Sequence, residues 1–421
     1  MLYKFKSKAT GDLIMLEPQG RQILSLIGKE PSPKGILLVA DMPAAIAALQ
    51  AAVQAQEAAQ ARAAEQALGG CQLASACGAV HRDDAAMPAR RTRPGLGRVK
   101  HPYQDLTPDV VLDALSALGL PVDGRISALS SYENRVYQVM LDDAASVVVK
   151  IYRPERWTDA QIQEEHAFTA EMVADEIPVV GPLCFNGQSL HTLHTQGEGG
   201  PQRFVFSVCP RRGGRRPELD DPEVLNWIGR FLARIHQVGA RSAFKARPTL
   251  DADTFGWASL HWLQDQEAIA VEVAATWLSV CREALTLAQA ALASVPFTPL
   301  RLHGDCHPGN ILWTPVEQPE GGPHFVDLDD ARMGPAVQDL WMLLSGDRRD
   351  RSWQLSEVLA GYESLRPFDT RELALIEPLR TLRLVHYSAW LARRQDDPAF
   401  AQHFAWFGSV SYWQDQVNIL R

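Results

Sequence analysis

Between residues 69 and 104 the chain loses all period: the stretch opens GGCQLASACGAVHRDD and continues with proline, glycine and five basic residues from Arg90 to Lys100. A segment of this kind reads as an exposed, semi-flexible linker, and it splits the chain into two parts that fold separately. Residues 1–68 read as a small α/β domain. LYKFKSKA alternates like an exposed strand, DLIML resembles a second, and RQILSLIG has a helical period. Asp41 is a good N-cap, with Pro43 in the first turn, for an alanine-rich helix that reaches about Leu68. From Asp105 to Arg421 the sequence is dense and globular, with no further linker and no internal repeat.

Charge and apolar content exclude several classes. A net charge of −9 implies no general attraction to nucleic acid or to an anionic membrane. No run approaches the ~18 apolar residues of a membrane span, and the N-terminus meets charge too early for a signal peptide. Six cysteines (Cys71, Cys77, Cys184, Cys209, Cys281, Cys306) scattered over 421 residues suit reduced thiols in a cytoplasm.

Within residues 105–421 the order is strands, then helices. TPDVVLDALSALGL is an amphipathic helix capped by Thr107, followed by strand-like ENRVYQVML and SVVVKIYRP and by the helix DAQIQEEHAFTAEMVADE. RFVFSV leads into the arginine-rich turn CPRRGGRRPE. Beyond Asp221 the pattern is mainly helical.

The chemistry is carried by LRLHGDCHPGNILW, residues 300–313. His303, Asp305 and His307 could suggest a metal site, but the glycine and proline between them prevent a regular face, and no HExxH or paired CxxC supports it. Phosphoryl transfer explains more residues. Asp305 precedes Asn310 by five positions, the spacing at which a catalytic loop aims a carboxylate at a hydroxyl and an amide oxygen at a metal on ATP. In HFVDLDDARMGP an apolar strand ends in Asp327, which with Asn310 offers hard oxygen ligands for Mg²⁺. Asp329 would share a strand face with Asp327, so either carboxylate could be the ligand. Lys150 follows buried-strand residues in SVVVKIYRP, where its ammonium needs phosphates and a helix glutamate, Glu164 or Glu165, as compensation.

Taken together, HGDCHPGN, FVDLDDA, GPAVQDLWMLL, SYENRVYQV and VVKIYRPERW resemble the stress response kinase A family, within the aminoglycoside phosphotransferase and choline kinase superfamily. The resemblance covers about residues 105–421. It implies an α+β, bilobal protein-kinase-like fold, with residues 105–208 as N-lobe and 209–421 as C-lobe. It also implies a cytoplasmic serine/threonine protein kinase using ATP and Mg²⁺, and the chain is expected to be a monomer. By position, Asp305 is the base, Asn310 and Asp327 hold the metal, Lys150 contacts phosphates and Glu165 is its partner. Ser131 lies near the phosphates in SSYENRVY, which lacks the glycine-rich pattern. Phe206 to Pro210 is the hinge, placing Cys209 at the adenine. His236 reads as a buried core histidine, and Asp339 as a support for the catalytic-loop backbone. Arg380, Arg383, Arg393 and Arg394 either bind an acidic acceptor or lie in water behind the packed face of Leu382, Val385 and Ala389. A small-molecule hydroxyl kinase and an inactive nucleotide-binding scaffold are the alternatives. Residues 1–50 resemble a small bacterial domain of unknown function.

Overall fold

The computed structural model describes residues 102–421 apart from 144, 198–199 and 399, together with residues 2–5, 13–16, 25, 28, 44 and 48. The chain divides into two compact units, Met1–Pro94 and Gly95–Arg421. In the first, the two expected strands form an antiparallel hairpin, β1 (Leu2–Phe5) with β2 (Leu13–Leu16), registered Leu2 opposite Leu16. Of the alanine-rich helix only Ala44 and Ala48, both helical, are described, and the linker up to His101 lies outside the described residues.

The second unit starts with helix α1 (Pro108–Ala117), whose N-cap Thr107 accepts from Val110 N–H. It covers one face of a five-stranded antiparallel sheet ordered β3-β4-β5-β7-β6: β3 (Val122–Ala128), β4 (Arg135–Leu141), β5 (Ser146–Ile151), β6 (His191–Gly197) and β7 (Gly200–Pro210). Side chains alternate across a strand. In β5, Val147, Val149 and Ile151 therefore pack with Val111 and Leu115 of α1, and Lys150 points to the other face. Helix α2 (Asp159–Ala174), closed by a Thr158–Gln161 capping box, crosses that opposite side.

The strand that carries Phe206–Pro210 runs two residues beyond the RFVFSV segment. β7 is long enough that Cys209 still pairs with Val148 and Pro210 with Val147, so the crossing to the helical lobe begins at Arg211. That crossing is pinned by Arg215, which exchanges two backbone hydrogen bonds with Trp313.

The helical lobe contains α3 (Pro222–Gly239), α4 (Ala258–Asp265), α5 (Ala274–Ser294), α6 (Val337–Trp341), α7 (Arg348–Glu363), α8 (Ile376–Arg393), α9 (Phe400–His403) and α10 (Val410–Leu420). Its core holds Ile228, Leu232 and Ile235 of α3, with Phe231 packed beside them, and Leu382, Val385 and Ala389 of α8. Four short strands carry the polar loops: β8 (Leu300–Leu302) pairs with β11 (Arg332–Gly334), and β9 (Ile311–Thr314) with β10 (Gly322–Phe325). No helix among the described residues is long and apolar enough to cross a membrane.

Candidate active site

The catalytic loop leaves β8 and is fixed from below. Asp339, fully buried in α6, accepts the backbone N–H groups of His303 and Gly304, both at 2.8 Å, and meets His236 Nε2 at 3.2 Å. His236 is closed on its other nitrogen by the Tyr362 hydroxyl at 2.9 Å, so it is a satisfied core histidine. His303, also buried, bonds the Val326 carbonyl at 3.0 Å, which ties the loop to the segment after β10. Gly304 has φ +84°, and a Cβ there would stand 2.0 Å from the Asp330 carbonyl, so only glycine passes. The loop then closes as a short 3₁₀ turn, Pro308–Asn310. The Asn310 amide donates to the Asp305 carbonyl at 3.0 Å, turning its oxygen outward. Its own carbonyl accepts from Val326 N–H at 3.0 Å, which sets it one residue from Asp327. Arg383 of α8 reaches Asp305 Oδ1 at 2.6 Å, and His307 Nε2 lies 3.7 Å from Oδ2.

The second carboxylate group is a turn rather than a strand. β10 ends at Phe325, Asp327 takes a left-handed backbone (φ 61°, ψ 61°), and Leu328–Asp330 form a 3₁₀ turn. Asp327 and Asp329 thus do not share an extended face. Asp327 is half-exposed toward the cleft, whereas Asp329 is buried. Lys150 Nζ pairs with both, at 2.7 Å to Asp327 Oδ1 and 2.6 Å to Asp329 Oδ1. Asn134 donates to the second Asp329 oxygen at 2.6 Å. Asp330 faces elsewhere, to Arg156 at 3.0 Å and Arg332 at 2.8 Å.

Residues 125–376 match the phosphotransferase enzyme family, the group to which a buried strand lysine, an Asp305–Asn310 loop and a following carboxylate turn had pointed. The chain belongs to that family. Residues 1–87 match a separate domain of unknown function, DUF1840. The phosphotransferase is 47% identical over 315 residues to the stress response kinase A of Escherichia coli strain K12, covering 75% of this chain and 92% of that protein. It is 45% identical over 316 residues to the serine/threonine protein kinase RdoA of Salmonella typhimurium strain LT2, with the same two coverages. Among solved structures, an amicoumacin kinase bound to AMP-PNP and Ca²⁺ superposes with a TM-score of 0.57 at 20% identity, covering 74% of this chain and 93% of that one. A microcompartment-associated aminopropanol kinase gives 0.56, also at 20% identity, over 74% and 94%. These two likenesses establish the fold.

In the phosphotransferase, Glu165 lies within the electrostatic surroundings of Lys150, but the expected ion pair between them is not made. Glu165 Oε2 meets Arg247 Nη2 at 3.0 Å, while the two aspartates occupy Lys150. Burial, reinforced by Asp329 and opposed by Lys150 and Arg247, pushes Glu165 up to about 7. Glu164 is spoken for, since it accepts the backbone N–H groups of Lys245, Ala246 and Arg247. Burial would raise Asp329, yet Lys150 and Arg156 outweigh it and hold Asp329 below the usual carboxylate range. Burial opposes the Lys150 charge, and Asp327 and Asp329 more than restore it. Cys209, pushed up to about 11 chiefly by burial, feels Lys150 across β5 and β7. Ser131 sits in the β3–β4 connection, which is drawn onto the helical lobe. There Glu133 forms two 2.6 Å bonds with Arg394, and the Tyr132 hydroxyl reaches Asp397 at 3.2 Å.

Among the described residues, no group of three or more His, Cys, Asp or Glu is arranged to hold a metal alone. The outward Asn310 oxygen and the half-exposed Asp327 carboxylate are hard donors that fit a cation completed by phosphate oxygens and water, as Mg²⁺ prefers. Asn134, Arg156 and Arg247 were not picked out from the sequence. Each is a buried or half-buried polar residue whose partner lies 80 or more positions away, so no local pattern announces it.

Proposed function

We propose that this phosphotransferase is an ATP-dependent serine/threonine protein kinase, with Asp305 as base, Asn310 and Asp327 as holders of Mg²⁺, and Lys150 as the phosphate contact. The observation that carries the reading is that Asn310 is bonded to the Asp305 carbonyl on one side and to Val326, next to Asp327, on the other. Base and metal donors are thereby one backbone-linked unit facing Lys150. The name of the Salmonella relative at 45% identity, a serine/threonine protein kinase, favours a protein acceptor.

In the reaction, the acceptor hydroxyl gives its proton to Asp305 as its oxygen bonds the γ-phosphorus, and the bond from that phosphorus to the departing ADP oxygen breaks. Catalysis here is positioning and charge neutralisation. Arg383 fixes one Asp305 oxygen and so leaves Oδ2 to accept the proton. Incoming phosphates compete with Asp327 and Asp329 for Lys150, so nucleotide entry exchanges one set of anions for another. Mg²⁺ supplies offsetting charge at the phosphate oxygens when bound. Ser131 and Cys209 are placed by this reading at the phosphate and adenine ends of the nucleotide, and Glu165 acts on Lys150 through the local field.

The test is transfer from labelled ATP with Mg²⁺, comparing the intact chain with Asp305→Ala, alone, with a generic basic protein, and with a panel of small alcohols. Label on protein Ser or Thr, reduced at least about a hundredfold in the variant with nucleotide binding retained, is the expected result. Label only in a small alcohol would replace the protein acceptor with a small-molecule one, and near-normal turnover by Asp305→Ala would remove the base assignment.

A further inference from the structure

Beside the carboxylate turn, at Asp330, an open pocket of about 470 Å³ lies between α8 and the β5–α2 connection. Its wall carries five arginines, Arg153, Arg156, Arg332, Arg393 and Arg394, and two carboxylates, Glu155 and Asp330; Asp397 and Glu133 pair with Arg153 and Arg394 from outside it. This arginine cluster is not a solvated fringe, because Arg332 and Arg394 are only 5% and 8% exposed. Aromatic rings support them. The Arg332 guanidinium lies 4.5 Å from the Phe255 ring, which stacks on His386 at 3.9 Å, and Arg394 lies 4.3 Å over Trp390. Arg393, exposed at the rim, has no ion pair among the described residues and rests 4.8 Å over Trp262. The cations also oppose one another. Burial, aided by Arg156, Arg247 and Arg383, holds Arg332 below the usual guanidinium range despite Asp330. Burial with Arg153 and Arg156 does the same to Arg394 despite Glu133. A dianion entering the pocket relieves that repulsion.

The position of the pocket relative to Asp305 sets what the anion belongs to. Arg383, bonded to Asp305, shares a face of α8 with His386 and Trp390, three and seven residues on, and Arg394 follows directly after the helix. At 1.5 Å per residue, Trp390 stands about 10 Å along the axis from Arg383. An extended peptide covers that distance in about three residues.

We propose that this pocket binds a phosphoserine or phosphothreonine of the protein acceptor, so that the enzyme transfers phosphate to a hydroxyl about three residues from one already phosphorylated. The assignment rests on the protein-kinase reading above for its second half only, since binding can be read without transfer. A phosphorylated side chain brings close to two negative charges and three acceptor oxygens, which suits an Arg393 unpaired among the described residues, beside an Asp330 shared by Arg156 and Arg332, better than a single carboxylate does.

The experiment uses the full chain and degenerate fluorescent peptides with alanine in the acceptor place and either phosphoserine or serine three residues to each side. Fluorescence anisotropy is expected to show at least about tenfold tighter binding of the phosphorylated peptides. Arg393→Glu is expected to abolish that preference and Arg393→Lys to keep most of it, with unchanged thermal melting as the folding control. Equal binding of the two libraries, or a preference that survives Arg393→Glu, would overturn the proposal. So would displacement of both libraries alike by inorganic phosphate, which would make the pocket a free-phosphate site. With serine restored at the acceptor place, kcat/KM is expected to favour the phosphorylated library by a similar factor. Discrimination in binding without transfer to either library would uphold the pocket and count against the protein-kinase reading, whereas equal transfer to both would remove the pocket alone.

Discussion

The two sides of the cleft are held by different kinds of bond. On the acceptor side, Asp339, His236, His303 and Gly304 form a buried set of hydrogen bonds lying wholly within the helical lobe. On the nucleotide side, the strand-rich lobe is fastened across the cleft by charge pairs: Lys150 to Asp327 and Asp329, Glu133 to Arg394, and Arg153 to Asp397 at 2.7 Å. The first set cannot open without exposing unpaired buried donors, which is costly. The second set can exchange one anion for another. A rigid acceptor side and an exchangeable nucleotide side are what a phosphotransferase needs if ATP must enter and ADP must leave while the base stays aimed.

The contrast can be broken most forcefully at Asp339. Asp339→Ala strips the acceptor from two buried backbone N–H groups and from His236, and is expected to cost about 4 kcal/mol in urea unfolding, with little dependence on salt. A loss under about 1 kcal/mol would show that water replaces the carboxylate and that the acceptor side is less rigid than described. Lys150→Met leaves Asp329 buried with Asn134 and Arg156 as partners. It is expected to cost about 3 kcal/mol and to weaken Mg·ATP at least tenfold in nucleotide titrations. Tighter nucleotide binding in that variant would mean that the lysine pairs block the site instead of serving it.

Glu165 sharpens the comparison through pH. Its folded value is raised, to about 7 from 4.5. The stability that goes with its protonated form is therefore present below about pH 4.5 and is lost as pH rises through about 7. Stability of the wild type is expected to fall relative to Glu165→Gln across that window, by about 3 kcal/mol. A difference independent of pH would place the titration on another group. The smallest effect belongs to Glu133→Gln, which loosens the connection carrying Ser131. It is expected to cost about 1 kcal/mol and to remove part of the salt dependence of nucleotide association measured by stopped flow.

Much of this was legible before any coordinates. Alternation in SVVVKIYRP puts Lys150 opposite Val147, Val149 and Ile151, and the structure seats those three under α1. The core part of His236 follows from a polar residue set in an apolar helix face, and the supporting part of Asp339 from the family resemblance. What could not be read were choices among distant partners. Lys150 and Asp327 are 177 positions apart, and Arg247 and Glu165 are 82 apart, so the lysine's exchange of a glutamate for two aspartates leaves no local trace. The end of the strand was legible only to Val208, because CPRRGG looks like a turn from its first residue, while sheet pairing carries the strand through Cys209 and Pro210. The arginines of α8 were divided between acceptor binding and water. In the fold Arg394 is buried and Arg383 is bonded to Asp305, so packing decides against water for both.

The left-handed Asp327 has a further consequence. In an extended strand, successive carboxylates offer only two directions, and two of the three in DLDD would have competed for one partner. Reversing the chain at a single residue sends Asp327 to the cleft, Asp329 to Lys150 and Asn134, and Asp330 to the arginines of the neighbouring pocket. Open cleft, lysine and the pocket's cations are thus addressed from four consecutive positions. A one-residue insertion or deletion there would reassign all three at once, so the spacing of this tetrad, more than the identity of any one of its acids, is what the chain has to keep.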